Sequence, residues 1–426
     1  MTTTATAPAS LLPVHHDAFR TREYWDKFFL ERDQQAFEWY GSFQDVAAQI
    51  GQHMRREHSC LVIGCGNSDF SHHLYDAGHE RIRNLDFSEA VISEMRAKNQ
   101  GLRAGMHWDV GDMTDMPQYA AGQFEVVFDK GALDALMSVE SDQVLGMARR
   151  MFSEVSRVLT DRGVYLCVTL AEPYILRCLM EYFTGAPAPA SAPASAPASA
   201  VATWSVSIEA VSVPEPGPFM PLLVVIKKTR PAAPTAPALP ISLFVNQWGC
   251  SMPTPVLIAP PYRDALERIA EIQALYSRSH NLRDIRVGRF ETFDVYSREL
   301  PDIPRFTITI VDADDSAASS LSCAVLFLPS GRESEYRFSS QGGLEGIAAQ
   351  AGCRRLLAVR CNRPHTFSAH PQHLQDELDP LVLGLRPRRH APDERIPYMA
   401  VAKDDSWVTI AQGQSALSGK VCLSQC

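Results

Sequence analysis

Two glycines one residue apart, Gly64 and Gly66, end the apolar run Leu61-Val62-Ile63, and Asp86 ends the next apolar run about twenty positions on. Backbone that lacks side chains lets a ligand approach closely, and a carboxylate at the end of the second strand accepts hydrogen bonds from ribose hydroxyls. This is the layout of a nucleotide-type cofactor held at the first turn of a doubly wound sheet. In a dinucleotide site a third glycine lets the helix pack closely beneath a pyrophosphate. Asp69 occupies that position here, and a carboxylate at a helix start repels phosphate. A cofactor with an adenosine and an amino acid end, but no phosphate, meets no such objection. The loop therefore favours S-adenosylmethionine over a dinucleotide.

The candidate cofactor set follows from this placement. The backbone amides of Gly64, Cys65 and Gly66 would approach the ligand, because two of those positions lack a side chain, and Asn67 completes the loop's cofactor-binding set. The helix that follows offers partial positive charge to the amino acid carboxylate. Asp86, with Phe87 beside it, would hold the ribose. Asp112 follows the third strand, where it would accept from the adenine amino group while Met113 packs on the ring. The plainer reading of Asp86 and Asp112 is solvated carboxylates at strand ends.

Asp129 stands in Phe128-Asp129-Lys130-Gly131-Ala132-Leu133-Asp134, at the end of the fourth strand. That edge borders the ligand crevice in open parallel sheets, so Asp129 is the catalytic candidate for holding or deprotonating a nucleophile. It is also placed to cap the helix from Gly131 onward, and the two roles are compatible. Glu38-Trp39-Tyr40 would cover the cofactor or form an aromatic slot for an incoming chain, which puts Tyr40 beside Asp129 as a catalytic candidate. An aromatic cluster on a helix is more often core. Methyl transfer needs alignment and exclusion of water more than acid–base chemistry. A lysine acceptor must arrive neutral, which an apolar slot and a single carboxylate favour.

The elements that must position these residues alternate. Thr21 to about Met54 has helical spacing of aromatic and apolar residues. Cys60–Gly64, Arg83–Asp86, Met106–Val110, Phe124–Phe128 and Val164–Leu170 read as strands. Asp69–Asp76, Glu89–Lys98, Val144–Leu159 and Glu172–Phe183 read as the helices among them. The fold class is α/β: a Rossmann-like, seven-stranded class I methyltransferase sheet, mostly parallel with helices on both faces. Thr203–Val213 and Pro221–Lys228 would close it as an antiparallel pair. The Ala/Pro/Ser run over 185–202 then reads as an insertion within the first domain. The expected organisation is a catalytic domain over 1–230, a linker over 231–240 and a smaller accessory α+β region over 241–426.

The chain has 426 residues and a net charge of −9, a field that gives no reason to expect nucleic acid binding. Its cysteines form no C-x-x-C pair, and several sit in apolar strand-like runs, as in a reduced, cytoplasmic protein. No signal sequence and no membrane-spanning run is apparent. His365, His370 and His373 flank prolines in a loop without a fourth ligand pattern, so no metal site is expected, and Arg386–His390 reads as a solvated basic loop.

Four motifs taken together resemble one family. Tyr24-Trp25-Asp26-Lys27-Phe28-Phe29, Phe37-Glu38-Trp39-Tyr40-Gly41, Leu61 to Ser68 and Asp129 to Ala135 are similar to the eEF1A lysine and N-terminal methyltransferase family. The resemblance continues through Phe327–Tyr336 and Ala351–Leu357 and so covers most of the chain. It implies a seven-stranded domain that methylates a lysine of translation elongation factor 1-alpha. It also implies a C-terminal methyltransferase domain with its own Gly-rich loop, acting on the factor's N-terminus. No second such loop occurs here, so one complete catalytic domain is expected, with 241–426 as an incomplete second one. A small-molecule methyltransferase and a non-catalytic partner-binding scaffold remain the alternative readings.

Overall fold

The computed structural model describes residues 15–31, 36–184, 203–211, 219–229, 241–245, 251–258, 262–283, 288–296, 303–313, 321–328, 331–362, 396–401 and 407–410, with isolated positions between them. The Ala/Pro/Ser run, the expected linker, the three histidines from His365 to His373 and most of the basic run ending at His390 lie outside the described residues. The chain divides into two compact units, Met1–Leu275 and Tyr276–Cys426.

In the first unit β1 (Cys60–Ile63), β2 (Ile82–Asp86), β3 (Met106–Val110), β4 (Phe124–Lys130) and β5 (Leu159–Thr169) are parallel neighbours. All four residues of β1 are buried, because helices cover both faces of a parallel sheet. The crossovers carry α3 (Phe70–Asp76), α4 (Glu89–Asn99), α5 (Ala132–Leu136) and α6 (Asp142–Val158), and α7 (Pro173–Thr184) follows β5. Two helix starts are set by serine caps: Ser88 Oγ accepts from Val91 N at 3.3 Å, and Ser141 Oγ from Val144 N at 3.3 Å. β7 (Leu222–Thr229) runs antiparallel to β5, and β6 (Thr203–Ala210) antiparallel to β7. The expected closing pair is therefore present, and the first seven strands lie in the order β3-β2-β1-β4-β5-β7-β6. Chain order reverses between β1 and β4, which opens a crevice at their C-terminal ends.

Two expectations are corrected. The segment read as helical from Thr21 to Met54 is two helices, α1 (Arg22–Glu31) and α2 (Phe43–Ile50). Residues 36–42 between them form a turn, in which Tyr40 takes the left-handed conformation at φ 59°. Spacing alone did not separate them, because Phe37 and Trp39 are as apolar as a helix face and pack edge-on at 4.7 Å. The sheet also passes the boundary expected over 231–240. β8 (Ile241–Val245) adds parallel to the free edge of β6, and β9 (Ser251–Ile258) pairs with β8, giving nine strands among the described residues. An open edge strand is a template for such addition.

The division between the units falls within α8 (Arg263–Asn281). The second unit holds β10 (Phe290–Tyr296), β11 (Pro304–Asp312), β12 (Leu321–Phe327), β13 (Cys353–Cys361), β14 (Tyr398–Val401) and β15 (Trp407–Ile410). They form a mixed sheet in the order β10-β11-β13-β12-β14-β15. α9 (Tyr336–Ser339) and α10 (Gln341–Ala351) cover one face through Phe338, Leu344, Ile347 and Ala348. Within it Arg355 and Asp312 form a fully buried two-point ion pair, Nε–Oδ1 at 2.6 Å and the second nitrogen to Oδ2 at 2.7 Å.

Candidate functional site

A cavity of about 400 Å³ opens at the C-terminal ends of β1, β2 and β4 in the first unit. This lies within the ~300–1,000 Å³ of small-molecule sites. Gly64, Cys65, Gly66, Asn67, Asp86, Phe87, Asp112, Met113 and Tyr40 all line it, so the structure brings together nine of the ten residues singled out from the sequence. Asp129 is the exception.

The loop after β1 turns tightly because both glycines are left-handed, Gly64 at φ 57° and Gly66 at φ 52°. A Cβ on Gly64 would stand 2.4 Å from that of Ala132, so this glycine lets the loop pack on the first turn of α5. Two of the loop amides are committed within the chain. Cys65 N donates to Leu85 O at 3.1 Å, and Gly66 N to Asp86 Oδ2 at 2.9 Å. What the loop offers a ligand is close backbone approach, and its shape is fixed by Asp86.

Asp86 is the keystone of this end. Its second oxygen, Oδ1, accepts from Ser88 N at 3.0 Å, so the carboxylate joins the β1 loop to the start of α4. The Phe87 amide bonds the same carboxyl, which with up to four acceptor positions still has capacity for a hydroxyl in the cavity. Burial pushes its carboxyl up to about 6, against the lowering effect of the Ser88 and Gly66 amides. Phe87 and Met113 are half-buried in the cavity wall, and Asp112 is exposed, with Oδ1 accepting from Thr114 N at 2.8 Å.

Asp129 does not face the cavity. It is fully buried, and its carboxylate accepts from Ala132 N at 2.8 Å, Leu133 N at 3.2 Å and the Tyr165 hydroxyl at 3.0 Å. The expectation that it meets a nucleophile is corrected: the β4 pleat turns it to the other side from Phe128, and it caps α5. Burial pushes its carboxyl up to about 6.

Two further groups were not singled out. Lys130, next along β4, forms an ion pair with Glu38 at 2.7 Å and donates to Trp39 O at 2.7 Å. Glu38 in turn accepts from Ser68 Oγ and from Asp69 N at 2.8 Å. The 36–42 turn is thereby fastened over the cofactor loop, and Tyr40 lies against Gly131, where a Cβ would stand 3.1 Å from its ring. Asp134, in α5, also lines the cavity. The sequence signal for both lay in the Asp129–Asp134 stretch, but which carboxylate faces inward depends on the strand-to-helix turn.

Aromatic rings close the cavity from the N-terminal side. Phe19, Trp25, Phe29, Phe37 and Trp39 line it and pack on one another, Trp25 on Phe29 at 5.8 Å and Phe19 on Trp39 edge-on at 6.3 Å. S-adenosylmethionine fits the residues present. Gly64 and Gly66 leave a side-chain-free wall, and Asp86 lines the cavity as an acceptor. Asp69, at the start of α3, does not line the cavity: its carboxyl turns to His72 Nδ1 at 3.0 Å, which holds it below its usual range, so the objection to phosphate expected from it does not act inside the cavity. Among the described residues no helix is long and apolar enough to cross a membrane, and no cluster of three or more His, Cys, Asp or Glu is placed to hold a metal ion.

Comparison with known proteins agrees with this geometry. Residues 56–188 match the model of a methyltransferase domain. The chain is 30% identical to the eEF1A lysine and N-terminal methyltransferase of Danio rerio, over 96% of this chain and 56% of that protein. It is 33% identical to that of Mus musculus, over 96% of this chain and 57% of that protein. EEF1A lysine methyltransferase 4 of Mus musculus is 29% identical over 170 residues, 38% of this chain and 66% of that protein. The chain thus carries a class I methyltransferase domain and spans about half the length of the eEF1A lysine and N-terminal methyltransferases to which it is homologous.

Proposed function

We propose that this homologue of the eEF1A methyltransferases is an S-adenosylmethionine-dependent protein-lysine methyltransferase whose substrate is translation elongation factor 1-alpha. The observation that carries this reading is the continuity of the cavity described above. It joins an Asp86-anchored glycine loop at one end to a set of aromatic and acidic side chains, Trp39, Tyr40, Asp134 and Tyr174, at the other. The names of the relatives supply the substrate, and the shorter one, matched over 170 residues, names lysine alone.

When bound, S-adenosylmethionine supplies a methyl group activated on a sulfonium centre. Asp86 holds the ribose through the acceptor capacity left over from the Gly66, Ser88 and Phe87 amides. Phe87 and Met113 would pack against the adenine, and Asp112 would accept from its amino group. The backbone of Gly64–Asn67 lies along the ligand, and the start of α3 favours a carboxylate. The aromatic cover excludes water, which alignment of a cationic donor with an amine requires. Tyr40 and Trp39 line the cavity, where an aromatic ring would attract the substrate's ammonium.

The test is incubation of the whole chain with labelled S-adenosylmethionine and purified elongation factor 1-alpha. Label precipitating with the factor supports the reading. Label confined to small molecules of an added cell extract favours the small-molecule alternative, and cofactor binding without transfer favours the scaffold.

A further inference from the structure

Asp134 carries a feature that the fold does not explain. Its Oδ1 accepts from Leu170 N at 3.0 Å, and the Thr169 hydroxyl donates a hydrogen bond to the same carboxyl. Its Oδ2 is buried without a hydrogen-bond partner among the described residues. A buried carboxylate oxygen left unpaired costs desolvation free energy that folding does not return. Because Asp134 also lines the cavity, the donor it awaits can come from outside the chain. Backbone strain collects at the same place. Tyr40, at φ 59°, and Ala171, next to the Leu170 amide and at φ 52°, are two non-glycine residues held left-handed around it.

We infer that Asp134 Oδ2 is the atom that takes the proton from the ammonium of the substrate lysine, and that Tyr40 positions that ammonium against it. The inference rests on the lysine reading above. The ammonium N–H bond breaks, its electron pair stays on nitrogen, and the proton passes to Oδ2. The neutral amine then receives the methyl group while the sulfonium keeps the electron pair of the broken C–S bond. The product is a methylated ammonium, and Asp134 returns its proton to water. Asp129 cannot serve, since its oxygens already accept from Ala132, Leu133 and Tyr165.

The surroundings suit an acceptor that is ionised near neutrality yet binds a proton readily. Burial pushes the Asp134 carboxyl up to about 7. The groups facing it are Asp129 from β4, Cys167 from β5, Tyr40 from the 36–42 turn, and Tyr174 with Glu172 from the start of α7. None of these side chains is of a cationic type, so an arriving ammonium meets no competing cation among them.

The test compares the whole wild-type chain with Asp134→Asn, which keeps the shape and the Oδ1 acceptor. Turnover on elongation factor 1-alpha should fall at least about 100-fold, the usual lower bound for a general base, with S-adenosylmethionine affinity changed less than about threefold. Wild-type turnover should fall as pH drops through about 7, and D134N should lack that limb. A second readout needs no turnover: carbon-13 carboxyl titration of the unliganded protein should show one aspartate near pH 7 that D134N removes. Equal turnover in D134N, a shared loss of cofactor affinity, or no carboxyl titrating near pH 7 overturns the assignment. A wild type that leaves the factor unmethylated removes the lysine reading and this assignment with it; an active wild type matched by D134N overturns this assignment alone.

Discussion

Lys130 Nζ lies 2.7 Å from Glu38 Oε2, across 92 residues of sequence, and both side chains are nearly enclosed, 6% and 15% exposed. The pair ties the end of β4 to the turn that covers the cofactor loop. Removing one partner strands a buried charge, which costs about 3–5 kcal/mol, whereas removing both is milder. Glu38→Ala and Lys130→Ala should each lower stability by roughly that amount, and the double variant by less than either single one. Urea unfolding of the three variants measures it; additive losses would show that the two groups do not act together.

Asp86→Asn should weaken S-adenosylmethionine binding by about tenfold or more, through loss of charged acceptors for two backbone amides and the ribose. Because burial pushes the Asp86 carboxyl up to about 6, wild-type affinity should also decline as pH falls through that value. Calorimetric titration between pH 5 and pH 8, about two units around the transition, reports both. Affinity flat over that range would place the ribose elsewhere.

Gly64→Ala should destabilise the first unit by about 2 kcal/mol or more and abolish cofactor binding. The residue is left-handed at φ 57°, and its Cβ would meet that of Ala132 at 2.4 Å. Thermal unfolding with and without S-adenosylhomocysteine checks both effects, since a variant that cannot bind gains no stabilisation from the ligand.

How much of this was legible beforehand follows the range of the interactions. The β1 loop, Asp86 and the strand–helix alternation are local patterns, and each stands where the sequence places it. The antiparallel closing strands were legible because β6 alternates and β7 opens on the buried apolar run Leu222–Ile226. The exit of Asp129 from the site was not, since one step along the β4 pleat decides whether a side chain meets the cavity or α5. The pairing of Glu38 with Lys130 likewise carries no local signal, since tertiary placement alone joins them. The break between α1 and α2 was hidden by Phe37 and Trp39, whose apolar spacing mimics a helix.

Stability should rise as pH falls from about 7.5 to 5.5. Burial raises Asp86 to about 6, Asp129 to about 6 and Asp134 to about 7. In that window these three bind protons in the folded chain more than in the unfolded one, so their contribution grows on acidification. His79, lowered by burial, acts in the opposite direction, one group against three. Thermal midpoints across the window measure the sum, and D134N should gain more over wild type at pH 7.5 than at pH 5.5, by about a few degrees. A midpoint that falls steadily with acid would refute the burial of these carboxylates.

The most direct measurement is peptide mapping by mass spectrometry of elongation factor 1-alpha after reaction with the whole chain and S-adenosylmethionine. The account predicts methyl groups on a lysine side chain of the factor, absent with Gly64→Ala. Methylation only at the factor's N-terminal amine, or none at all with cofactor bound, would contradict it.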